Sequence, residues 1–262
     1  MERFLVKPED LNDSVVRVSG EEHKHLRTVL RLKAGDAVEV FDGAGRAYAG
    51  VLTDVSSDGS TVAIDRPVTD IRESPIKIVL GQGIPKSDKM DWITQKATEL
   101  GVAAICPVSL TRCVVRLDEE TKKNSRRERW QKVAAEAAKQ CGRTRVPEVM
   151  ATRGLKDFLR LISPGDLFLA PWEEGGRPLK EVFQSARPAG DAATLAGDAV
   201  AFADDAAVFI LIGPEGGLTK EEIQACEQAG GKILTLGPRI LRTETAGLAL
   251  ISALQYHWGD MG

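Results

Sequence analysis

The chain has 262 residues, of which 43% are hydrophobic and 28% charged, and a formal net charge of −3. That is enough apolar material for one large or two modest cores, and it excludes a disordered chain. No apolar run approaches the roughly 20 residues that span a bilayer. Cys106, Cys113, Cys141 and Cys226 form no C-x-x-C pair, and the N-terminus lacks a signal peptide's layout, so a soluble, reduced, cytoplasmic protein is expected.

Residues 1–73 read mainly as short strands: Val15 to Val18, Ala37 to Phe41, Arg46 to Thr53 and Thr61 to Asp65, with Asp42-Gly43 as a tight-turn signal. One helical piece, Glu22 to Leu32, interrupts them and sets Leu26, Val29 and Leu30 on one face. A small, partly closed β-barrel with one helix is expected. His23 and His25 form an H-x-H pair with no carboxylate or cysteine arrangement to complete a metal site, so they read as surface histidines and no metal is expected. The segment Met1 to Ser74 carries ten basic and fourteen acidic residues, a balance of −4. Any polyanion contact there must use a local patch such as Lys24, Arg27 and Arg31.

Residues 74–262 alternate strands with helices. Ile76 to Gly81, Val102 to Val108, Asp166 to Ala170, Val208 to Ile212 and Ile233 to Leu236 read as strands, and helices begin near Asp88, Arg126, Leu155, Pro178, Lys220 and Ala246. This pattern predicts an α/β domain with a mostly parallel sheet. Ser87 reads as the N-cap and Gly101 as the C′ residue of the first helix. Pro188 to Asp205 is an Ala-, Gly- and Asp-rich connector without a period.

Charge is concentrated in one place. From Lys122 to Arg145 nine basic residues stand against two acidic ones, a local balance of +7 that is able to hold phosphates. Trp130, Val133, Ala134, Ala137 and Cys141 follow helical spacing, so a solvated helix face accounts for the same run. Lys86 and Lys89 sit where a strand meets a helix, within reach of a phosphate or merely solvated.

Two glycine-centred loops are the most informative feature. Gly213-Pro214-Glu215-Gly216-Gly217 follows the strand ending at Ile212; Gly237-Pro238-Arg239-Ile240-Leu241-Arg242-Thr243-Glu244-Thr245-Ala246-Gly247 follows the strand ending at Leu236. Glycine permits positive φ and close approach to a ligand, and proline rigidifies the turn. Thr219 and Glu222 form a capping box, so a helix starts at Lys220 with its amides near the first loop. No G-x-G-x-x-G is present, which argues against a nicotinamide cofactor.

The run GPEGGLTKEEI followed by LGPRILRTETAGLALISALQ resembles the C-terminal signature of the bacterial 16S rRNA uracil-N3 methyltransferases of the SPOUT superfamily. Lys86-Ser87-Asp88-Lys89-Met90, Gln95 to Val102, Arg112-Cys113, Gln140 to Arg143 and Val146-Pro147-Glu148 extend the likeness over most of the chain. The resemblance implies a PUA-like RNA-binding domain (1–73) and a SPOUT domain (74–262) with a trefoil knot. It also implies a homodimer acting on 16S rRNA in the small ribosomal subunit; the final helix offers Ala246, Ala249, Leu250, Ala253 and Leu254 for packing, either against a second copy or within one chain.

S-adenosylmethionine is the implied cofactor. Its contacts map to Leu211, Gly213, Pro214, Glu215, Gly216 and Gly217, to Leu236, Gly237, Ile240, Leu241 and Arg242, and to the loop after Ala170. RNA contacts map to Lys24, Arg27, Arg31, Lys86, Lys89, Arg112, Arg126 and Arg143. Uracil N3 is a poor nucleophile until it loses its proton. Arg242 is therefore expected to stabilise charge on the uracil carbonyl oxygens, and Glu244 to orient the base or accept the proton. A purely structural Glu244, capping the last helix and paired with an arginine, is equally consistent. A SPOUT enzyme acting on tRNA or a ribose hydroxyl, and a non-enzymatic ribosome assembly factor, stay open as alternatives.

Overall fold

The computed structural model describes residues 1–11, 14–70, 72–115, 120–185 and 206–262. The chain divides into two compact units, Met1–Glu73 with Ala135–Val146, and Ser74–Ala134 with Pro147–Gly262. The connector expected at Pro188 to Asp205 lies outside the described residues.

The first unit holds β1 (Glu2–Leu5), β2 (Val15–Val18), α1 (Gly20–Lys24), β3 (Ala37–Phe41), β4 (Ala47–Val55) and β5 (Ser60–Pro67), with α1 running on into a π-helical turn, His25–Val29. The strands form one sheet in the order β1-β3-β4-β5-β2, antiparallel except where β1 runs parallel to β3. Inward alternation buries Val16, Val18, Val38, Val40 and Leu52 with Phe4 and Leu26, which is why these sequences take the extended form. No pairing joins β1 to β2 among the described residues, so the sheet is left open at its edges. The strand β1 was not anticipated. His23 is buried, its Nδ1 lying 2.9 Å from Ser60 Oγ, which corrects its reading as a surface residue.

Residues 135–146 belong to this unit because two charged side chains bind their backbone. The Arg3 guanidinium donates to the carbonyls of Ala138 (3.2 Å), Lys139 (3.2 Å) and Arg143 (3.0 Å), and its Nε donates to Glu39 (2.6 Å). The Glu73 carboxylate accepts from Arg143 Nη2 (2.8 Å) and from the amides of Thr144 and Arg145 (2.8 Å each). A single boundary at Glu73 therefore misses this returning segment.

The second unit contains β6 (Lys77–Gly83), α2 (Lys89–Glu99), β7 (Ala104–Ser109), α3 (Glu120–Cys141, whose residues from Ala135 belong to the first unit), β8 (Glu148–Val149), β9 (Arg153–Gly154), α4 (Leu155–Leu159), β10 (Leu167–Pro171), β11 (Arg177–Pro178), α5 (Leu179–Ser185), β12 (Ala207–Ile212), α6 (Lys220–Gln228), β13 (Lys232–Thr235) and α7 (Thr243–Trp258). Its sheet runs β11-β13-β10-β12-β6-β7-β8, with β9 also on β7, and its pairings are parallel. Every residue of β12, Ala-Val-Phe-Ile-Leu-Ile, is buried, as a central strand covered on both faces requires.

Two of the expected helix ends are in place. Thr219 caps α6 in the expected box, and Gly101, at φ +84°, terminates α2. Ser87 does not cap α2; it takes φ +57° to turn the chain out of β6, and Asp88 stands at the N-cap. No described helix is long and apolar enough to cross a membrane.

Candidate active site

The loops after β10, β12 and β13, together with Lys89 at the start of α2, surround a cavity of about 460 Å³ at the carboxyl ends of the parallel strands. Open parallel sheets bind ligands at that edge, where successive strands open toward loops and helix N-termini. Gly213, Pro214, Glu215, Gly217, Leu236, Gly237, Ile240, Leu241 and Arg242 all line it. Of the residues expected there, Leu211 is fully buried in β12 and its neighbour Ile212 lines the cavity instead. Gly216 is also outside the lining, with its carbonyl accepting from Arg112 Nη1 at 2.7 Å.

Loop shape is set by backbone geometry. Gly217 has φ +70°, a left-handed conformation that favours glycine, and a Cβ there would press on the Glu173 carboxylate of the neighbouring loop. A Cβ on Gly83 would meet the Pro214 nitrogen at 2.7 Å, so glycine at the end of β6 is what lets the first loop settle against the strand. Thr243, the first residue of α7, donates from Oγ1 to Gly213 O at 2.6 Å. The two glycine loops are thus tied together through a side chain as well as by packing.

The charged groups at the mouth form one cluster. Lys89 Nζ lies 3.1 Å from Glu215 Oε1 and 3.1 Å from Glu244 Oε2, and Glu215 also accepts from the Lys86 amide at 3.1 Å. Hydrogen bonds first to Glu215 and then to Glu244 hold the Lys89 ammonium above its ordinary pKa. Burial pushes the Glu244 carboxyl up, but its own backbone amide, Lys89 and nearby Arg242 outweigh burial and hold it below the usual range. Glu215 behaves in the same way, burial being outweighed by its own amide, Lys89 and Lys86. The cluster is therefore fully ionised at neutral pH, and Glu244, in the first turn of α7, gains further from the helix N-terminus.

The residues expected to meet RNA fall into different environments. Lys24, Arg27 and Arg31 are exposed just before, on and just after the π-helical turn of the first unit. In the second unit Lys86 and Arg126 are exposed, whereas Lys89 bridges two carboxylates and Arg112 holds the carbonyls of the first glycine loop. Arg143 is corrected: it is only 5% exposed and ion-paired with Glu73, so it is not available to phosphate. The +7 run is likewise partly consumed, since Arg127 donates to Val149 O, Arg129 pairs with Asp88 and Asp91, and Lys139 pairs with Glu22 and Glu136.

Sequence reasoning missed Trp172 and Glu173 by name, although it pointed to their loop. Both line the cavity, and the buried indole Nε1 of Trp172 has no partner among the described residues. It also missed Gln82, fully buried beside Thr243. A lone glutamine closing an apolar strand gives no signal of a site.

Residues 72–255 match the model of an RNA methyltransferase domain, and residues 18–65 match that of an RNA methyltransferase PUA domain. Ribosomal RNA small subunit methyltransferase E of Bacillus subtilis is 35% identical over 91% of this chain and 89% of its own length. The chain belongs to the ribosomal RNA small subunit methyltransferase E family. The family member from Synechocystis is 30% identical over 96% of this chain and 77% of its own. The crystal structure of the methyltransferase E from Neisseria gonorrhoeae, bound to S-adenosyl methionine, superposes with a TM-score of 0.86 over the full length of both chains at 37% identity. The fold is accordingly a SPOUT-type α/β domain with a small PUA domain.

Proposed function

We propose that the protein transfers a methyl group from S-adenosylmethionine to N3 of a specific uridine of 16S rRNA in the small ribosomal subunit. The observation that carries this reading is the glycine-lined cavity, whose mouth holds Arg242, Lys89 and Glu244 together at the N-terminal ends of α2 and α7. Its volume suits a small cofactor. Ile212, Leu218, Leu236 and Leu241 offer apolar walls for an adenine, the Trp172 N–H is a donor without a partner among the described residues, and the Glu173 carboxylate complements a cationic ligand. When bound, the cofactor supplies an electrophilic methyl.

The protein's own groups then act on the base. Two cations, Arg242 and Lys89, stabilise charge on the uracil carbonyl oxygens and so favour loss of the N3 proton to water. Glu244, held ionised below the usual glutamate range, is better suited to orienting Lys89 and Arg242 than to taking a proton. The exposed cations Lys24, Arg27, Arg31, Lys86 and Arg126 supply the phosphate contacts of this reading. The trefoil path of the C-terminal segment belongs to it as well, and a ribosomal substrate implies a cytoplasmic enzyme.

Homodimerisation is part of the same proposal, with a narrower face than small-residue spacing implied. Leu250 and Leu254 are fully buried in the chain's own core, so the exposed residues of α7 are Thr245, Ala249, Tyr256 and His257, beside Ile240 at 83% exposure. Incubation with labelled S-adenosylmethionine and either small subunits lacking the modification, naked 16S rRNA or tRNA tests the function. Label in 16S rRNA supports the proposal, label in tRNA points to the related RNA methyltransferases, and no label with any RNA removes it.

A further inference from the structure

Thr243 lies between Arg242 and Glu244 in sequence, yet it and Gln82 take no part in the mechanism above. Both are buried, Thr243 at 6% and Gln82 at 0% exposure, and they come from distant parts of the chain, the start of α7 and β6. The Thr243 hydroxyl donates to Gly213 O at 2.6 Å and accepts from Gln82 Nε2 at 2.9 Å. Gln82 Nε2 donates a second time, to Gly83 O at 2.9 Å, while its Oε1 is buried without a partner among the described residues.

This arrangement fixes the direction of the hydroxyl proton. With both amide donors committed, Gln82 presents only N–H to Thr243, so the hydroxyl is left to donate toward Gly213. Turning the amide over would set an oxygen against the Gly83 carbonyl and offer Thr243 a competing acceptor. The orientation that aims the hydroxyl leaves one buried acceptor unsatisfied, a cost to folding that a purely structural glutamine would avoid.

We infer that Thr243, oriented by Gln82, is a positioning residue that sets the register between the cofactor loop at Gly213 and the α7 N-terminus carrying Arg242 and Glu244. Both sides of the bond matter to methyl transfer, because Gly213 belongs to the loop that holds the methyl donor and Arg242 and Glu244 immediately flank Thr243. The bond therefore converts two separately folded loops into one aligned site. This inference rests on the cavity being the S-adenosylmethionine site.

Calorimetric titration with S-adenosylmethionine, single-turnover methyl transfer to small subunits and thermal melting of Thr243→Val, Thr243→Ser and Gln82→Met test it. Thr243→Val keeps the shape and loses the hydroxyl, so the rate at saturating cofactor should fall roughly tenfold to a hundredfold, since small misplacements of reacting groups cost that much. Its cofactor Kd should rise only a few-fold, about the loss of one hydrogen bond. Thr243→Ser should recover most of the rate, and Gln82→Met should fall between the two. A Thr243→Val rate equal to wild type overturns the inference, and so does a loss that serine fails to recover. Should Thr243→Val not fold, wild-type rates in Gln82→Met overturn it. Failure of the wild-type protein to take up the cofactor removes the site assignment itself, a result distinct from unchanged variants.

Discussion

Lys89 Nζ lies 3.1 Å from Glu244 Oε2 and at the same distance from Glu215 Oε1, so one ammonium joins the first glycine loop to the first turn of α7. Its pH behaviour follows from the signs of the shifts. Glu215 and Glu244 both sit below the 4.5 of an ordinary glutamate, so their stabilisation is present above that value and lost as pH falls through the lower folded values. Lys89 sits above 10.5, so its contribution is complete below that value and lost only as pH rises through the higher folded one. Cofactor affinity should therefore be flat with respect to these groups across neutral pH. Lys89→Met leaves two carboxylates facing each other, and the acid limb of affinity against pH should move upward; an unmoved limb counts against the cluster.

Glu73→Ala removes the carboxylate that pairs with the buried Arg143 guanidinium and frees the amides of Thr144 and Arg145. Removing one member of a buried pair typically costs about 3 to 5 kcal/mol. Chemical denaturation should show a loss of that order, with a change below ~1 kcal/mol contradicting the account of the returning segment.

Thr219 and Glu222 separate a cap from a cross-link. Thr219→Ala removes the acceptor for the Glu222 amide and should cost about 1 kcal/mol. Glu222→Ala also strips partners from the amides of Thr219 and Thr111, so about 2 kcal/mol or more is expected. Equal losses in urea melts would show that the Thr111 link contributes nothing.

Burial pushes the thiols of Cys106 and Cys226 up to about 12 and raises that of Cys113. All three stay protonated at neutral pH and present little thiolate to an alkylating reagent. Cys141, half-buried on α3, should be the one thiol that reacts readily in the native protein, and all four should react after denaturation. Fast labelling of Cys106 would contradict the packing of β7.

Much of this architecture is legible in the residues because local chemistry and tertiary demand coincide. The apolar run of β12, the capping box at Thr219 and the terminating Gly101 each state their element without help from the rest of the chain. What escaped is what depends on distant partners. The β1 strand is short and gains its place from parallel pairing with β3, and residues 135–146 join the first unit only because Arg3 and Glu73 reach their backbone. Residue type alone places His23, Arg143 and Lys89 facing outward, whereas Ser60, Glu73 and the pair Glu215 and Glu244 claim them. The glycine loops are visible as loops, but the Gln82 amide that orients the Thr243 hydroxyl tying them lies 161 positions away and leaves no local signature.

The measurement that bears most directly on the central claim is mapping of the methyl group transferred to small subunits that lack it, by nucleoside mass spectrometry and by reverse transcription across 16S rRNA. A methyl on uracil N3 blocks the pairing edge and stops the transcriptase. The account predicts one such stop with a matching N3-methyluridine, absent when Arg242→Ala replaces the wild-type protein. A methyl on a ribose hydroxyl or on a tRNA, or an undiminished stop with Arg242→Ala, would contradict it.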